Sequence, residues 1–144
     1  MSIGKLANVF RIIKGSELSE KEYNELKKET LLMTLARATR QDSQIDPLEV
    51  ASVRATIERL TGETVSDADV RVAAHAELYE TVPFKTCLAR VAPKLSAKDR
   101  VSILQGLADV LKSDSRVHDE EAAYFNEIAT ALHVTPAELA GLGA

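Results

Sequence analysis

The chain has 144 residues, 45% of them apolar and 28% charged, which is the balance of an ordinary globular domain and not of a disordered one. Its formal charge of −4 argues against a general nucleic-acid binder, which needs a basic footprint. With no Trp and only three Phe and three Tyr, the core has to be aliphatic.

Helix punctuation recurs along the chain and strand signals are nearly absent. Residues 4–13 are the first expected helix. There Ile3, Leu6, Ala7, Phe10 and Ile13 fall at helical spacing, with Lys5, Arg11 and Lys14 beside them. Such a segment suits either an anionic membrane surface, through residues 1–14, or packing on the domain or a partner. Gly15-Ser16 separates residues 1–15 from the remaining domain, 16–144. The next helices are expected over 20–40, 47–61, 67–81, 84–92, 97–113, 119–132 and 136–141. Four of them open on a capping box, a small polar residue with an acid three places on: Ser19/Glu22, Asp46/Glu49, Ser66/Asp69 and Thr135/Glu138. Ser96/Asp99 is a weaker fifth. Pro47 and Pro136 stand at the first helical position, where the missing N–H costs nothing. The expected fold is all-α, one compact domain of seven to eight helices.

The lone Cys87 has no partner for an internal disulfide and lies in an apolar segment, so a buried structural thiol is expected, in a reducing compartment. No run of apolar residues is long enough to span a bilayer, and the first residues do not read as a signal peptide. The expected location is the cytoplasm, with a membrane-peripheral place open through residues 1–14.

Residues 31–60 laid on 103–132 agree at eight of thirty positions, without a gap. The shared pattern Asp-Ser-x-(Ile/Val)-x-x-x-Glu covers 42–49 and again 114–121. It reads as a helix–loop–helix unit used twice, in which Ile45 or Val117 staples the loop and a pseudo-twofold axis relates the halves. The four repeated acids, Asp42, Glu49, Asp114 and Glu121, have two readings. Carboxylate oxygens suit a hard divalent cation such as calcium, magnesium or manganese. Equally, Glu49 and Glu121 suit capping boxes, and Asp42 and Asp114 their own turns. Neither loop is an EF-hand: the sixth and twelfth positions are Pro47 and Val53 in one, Asp119 and Phe125 in the other. His75, His118 and His133 have no zinc spacing. No phosphate loop or nucleophile elbow is present in the sequence, so a non-enzymatic role is expected. The alternative is a metal-dependent enzyme using the same carboxylates.

The stretch from Leu107 through Asp114 and Val117 to Glu121, continued by Ile128–Leu139, resembles the TerB-like (tellurite resistance) signature, and the likeness extends over about residues 20–140. It implies a helical bacterial stress-response protein of two similar halves, cytoplasmic or membrane-peripheral. It also implies protein partners, a possible homo-oligomer, and divalent metal on acids of the repeated loops, here Asp42, Glu49, Asp114 and Glu121. Where the family pattern has Gly after the loop Asp, this chain has Ser43 and Ser115. Ser enters left-handed geometry less readily, so the loop turn departs from the family's.

Overall fold

The computed structural model describes residues 3–39, 49–76, 78–111 and 119–140. Among these, all regular structure is helical: α1 (Ala7–Ile13), α2 (Glu20–Arg37), α3 (Val50–Thr61), α4 (Asp67–Ala74), α5 (Leu78–Thr81), α6 (Phe84–Val91), α7 (Ala97–Leu111), α8 (Asp119–Ala131) and α9 (Pro136–Ala140). Short 3-10 turns occupy Ile3–Lys5 and Ala92–Lys94.

Helix α2 is the axis of the molecule. Its second half is buried on nearly every side, with Leu31, Leu32, Met33, Leu35 and Ala36 enclosed together with Glu29, Thr30 and Thr34. Around it pack α1, α3, α4 and α7. On the far side α8 packs on α6 and α7. On α7, Ile103, Leu104, Gly106, Leu107, Val110 and Leu111 are buried. Gly106 matters for closeness: a Cβ there would lie 2.9 Å from Leu60 Cδ1 and 3.0 Å from Leu31 Cδ1, so its absence lets α2 and α3 converge on α7.

The caps follow the sequence wherever the partners are near neighbours. Ser19/Glu22 and Ser66/Asp69 form complete capping boxes. Thr135 and Glu138 exchange bonds of 2.9 and 3.2 Å. The Ser96 hydroxyl accepts from the Asp99 N–H at 3.1 Å. At the other ends, Gly15 (φ 85) and His133 (φ 58) take the left-handed position that closes α1 and α8. The Val134 N–H reaches back to Ala129 O at 3.0 Å. Arg100 covers two of the remaining carbonyls, Leu132 O at 3.2 Å and His133 O at 2.8 Å.

Two expected helices are interrupted. The first breaks at Leu6 (φ 51, ψ 35), which resets its phase. Val9 and Ile12 are therefore buried with Ile3 and Leu6, while Phe10 and Ile13 are only partly covered. The helix expected over 67–81 stops at Ala74, because Arg37 reaches across from α2 and donates to the Ala74 carbonyl at 2.9 Å. The same guanidinium lies 5.1 Å from the Tyr79 ring centre and 5.6 Å from that of Phe84, which fixes α5 and the start of α6 around it.

The helix expected from 47 begins at Val50. Glu49 is its N-cap residue and makes no side-chain capping bond, while the expected Asp46/Glu49 box lies partly outside the described residues, with Asp46, Pro47 and Leu48. Cys87 is buried as expected. Its thiol donates to Val82 O at 3.4 Å, and burial raises its pKa.

The two helix pairs of the sequence repeat, α2 with α3 and α7 with α8, each pack together. Leu32 and Leu104, and Leu35 and Leu107, are fully buried in both copies, whereas Ala36 is buried and Ala108 only partly covered. Farther on the copies part. Leu60 is 41% exposed and lies over the α2–α7 groove, whereas its counterpart Leu132 is fully buried.

A candidate cation site at the start of the eighth helix

Of the four repeated acids, Glu49 and Glu121 fall among the described residues. Asp42 and Asp114 lie outside them, as do Ser43, Ser115, Ile45, Val117 and His118. The two glutamates do not share an environment. Glu49 is exposed at the start of α3. Glu121, in the first turn of α8, is only 6% exposed, and its Oε2 has no hydrogen-bond partner. α8 buries one face against α6 and α7, and Glu121, Tyr124, Ile128 and Leu132 recur along that face. The repeat therefore aligns two acids in sequence that packing then treats differently.

A buried carboxylate oxygen with nothing bonded to it is costly, because it has given up water without a replacement. The first turn of a helix offsets part of that cost through its dipole, though far from all of it. One turn on, the Tyr124 hydroxyl is also unpartnered, in a residue 8% exposed. Tyr79, on α5, has an unpartnered hydroxyl as well. Burial raises the pKa of both phenols, and each Tyr79 effect from Tyr124 and Cys87 runs the same way, so these groups stay neutral. The carboxylate is the one buried group of this set that offers a hard cation a negatively charged oxygen.

Among the described residues, no group of three or more His, Cys, Asp or Glu side chains is placed to hold a metal ion. His75 and His133 are exposed and take helix-end positions. Two grooves are open elsewhere. One of about 320 Å³ lies between α2, α3 and α7 and is lined by Lys27, Lys28, Leu31, Leu60 and Ile103. A shallower one of about 750 Å³ lies between α6 and α8, bordered by Lys85, Ala89, Asn126 and Glu127. Neither includes Glu49 or Glu121.

Sequence reasoning missed Glu29, the other buried acid among the described residues. It is 2% exposed and accepts three bonds: Oε1 from the Asn8 and Val9 N–H groups at 2.8 and 3.1 Å, and Oε2 from Asn8 Nδ2 at 2.6 Å. The signal available was its place on the stripe Leu26, Glu29, Met33, where an acid interrupts an apolar face.

The packed helices define the class, an all-α module. The chain belongs to the TerB family, since residues 28–144 match the family model described as tellurite resistance protein TerB, and it is thus a module of the tellurite-resistance type. Searches of the curated proteins and of the solved structures find no match. No helix among the described residues is long and apolar enough to cross a membrane.

Proposed function

We propose that this TerB-type module works by binding: a divalent cation is taken at the second repeated loop, and the loaded loop end then engages a protein partner. The observation that carries the reading is Glu121, buried with an unpartnered carboxylate oxygen next to the loop that holds Asp114. A capping or solvated glutamate has no need of that arrangement, whereas a cation ligand does. Glu121 would be the fixed ligand and Asp114 the ligand brought by the loop. Calcium, magnesium and manganese are the ions such oxygens suit. Glu49, exposed, makes the first loop with Asp42 the weaker of the two sites.

Calorimetric titration of the metal-free protein with the chlorides of calcium, magnesium and manganese tests this. The wild type should bind at least one of them saturably, Asp114→Asn should lose the tighter site, and Asp42→Asn should lose at most a weaker one. Absence of saturable heat with all three ions would overturn the cation reading.

A further inference from the structure

Every charged side chain in residues 3–14 is basic: Lys5, Arg11 and Lys14, with no acid before Glu17. The other 15 basic and 22 acidic residues leave −7 on the remainder of the chain. All three cations are exposed. The segment's apolar side chains face the other way, with Ile3, Leu6, Val9 and Ile12 buried against the domain. α1 lies outside the residues that match the family model, which begin at 28. The side chain that grips it, Glu29, lies inside them.

The grip is local and unusual. α1 has no cap of its own, because its N-cap residue is Leu6 in left-handed backbone geometry. A leucine is strained there. In place of a cap, Glu29 reaches from α2 and takes the Asn8 and Val9 N–H groups together with the Asn8 side chain. At the other end, Gly15 turns the chain at φ 85 with open space around it, and Ser16 and Glu17 are exposed. An ion pair of Arg11 with Glu22 and a bond from Arg11 to Glu17 O at 3.3 Å complete the docking on the solvent side.

We propose that residues 3–14 form a releasable strap for an anionic membrane surface, and that Glu29 is the latch holding the strap's apolar face on the domain. Docked, the strap offers Lys5 and Lys14 to anionic headgroups, while Arg11 is held by Glu22. Released, its buried side chains are covered by acyl chains instead of by α2, α4 and α6, so they are not left in water. Leu6 is freed of its strain in the same step. The bonds to Glu29 are lost together with the Arg11–Glu22 pair, and of these the Glu29 bonds are the buried ones. The inference stands apart from the cation site and uses none of its residues.

Co-sedimentation with vesicles of phosphatidylcholine alone, and of phosphatidylcholine with phosphatidylglycerol in equal amounts, tests it on the full chain. The wild type should partition to the anionic vesicles only. The Lys5→Glu/Lys14→Glu double variant, altered at exposed positions, should lose about tenfold or more in affinity. Glu29→Ala should gain about tenfold, since it removes bonds to a charged acceptor, with helical circular dichroism retained. Asn8→Ala, which deletes only the side-chain bond, should gain less and serves if Glu29→Ala does not fold. Equal partition of the wild type and the charge-reversed variant would overturn the proposal. So would an affinity unchanged in both latch variants.

Discussion

Glu29 and Glu121 are both buried carboxylates, and their surroundings give them opposite characters. Glu29 is satisfied by three donors, yet burial outweighs those bonds and raises its pKa above the ordinary 4.5, with Glu25 one turn back pushing the same way. The folded chain therefore holds this proton more readily than the unfolded chain. The stability this contributes is full below the ordinary carboxylate pKa and is lost as pH rises through the folded value. Urea unfolding at a series of pH values should show the wild type losing stability relative to Glu29→Gln as the solution is taken from about pH 4 toward neutrality. The amide preserves the packing and carries no titration; Asn8 has only to turn its own amide to pair with it. Parallel curves for the two proteins would contradict this assignment. Glu121, by contrast, has an oxygen with no donor at all.

At the scale of elements, the capping boxes were legible because both partners lie three residues apart and the chemistry is local. Ser19, Ser66 and Thr135 could be read without knowing the fold. The breaks at Leu6 and Ala74 were not, because their causes come from α2. Glu29 is 21 residues from Asn8, and Arg37 is 37 residues from Ala74. The site was half legible for the same reason. The repeat pointed to Glu49 and Glu121 together, but only the packing of α8 on α6 and α7 sets the buried one apart from the exposed one. Arg37 is the strongest test of this long-range control. Its truncation to Ala removes a charged bond to a helix-end carbonyl and the contact with two aromatic faces, so it should cost roughly 2–3 kcal/mol in denaturant unfolding. Arg37→Lys should recover only part of that, since an ammonium cannot stack a planar face on Tyr79 and Phe84. A cost below about 0.5 kcal/mol, the usual range for an inert surface change, would show that α4 ends at Ala74 for another reason.

For the whole molecule, the matched family unit, residues 28–144, carries most of the buried aliphatic core and the acids of both repeated loops, and Ile3, Leu6, Val9, Ile12 and Leu26 complete the core from before it. Residues 3–14 carry three basic residues, no acid, and an apolar face held on the domain beside the buried carboxylate of Glu29. The cation reading has a consequence for global stability that separates it from every structural role of Glu121. If this residue is a ligand, the metal-free protein bears a buried and poorly satisfied charge that a hydrophobic side chain of similar size would relieve.

The decisive measurement is the thermal unfolding midpoint of the wild type and Glu121→Leu, each metal-free and then with the ion that calorimetry selects at about 100 times its dissociation constant. The account predicts that the metal-free variant is more stable than the metal-free wild type, by roughly 1–2 kcal/mol. It also predicts that the ion stabilises the wild type by about 2.7 kcal/mol and leaves the variant unmoved. A variant less stable than the wild type without metal, or one stabilised by the ion to the same extent, would contradict Glu121 as the anchor of a cation site.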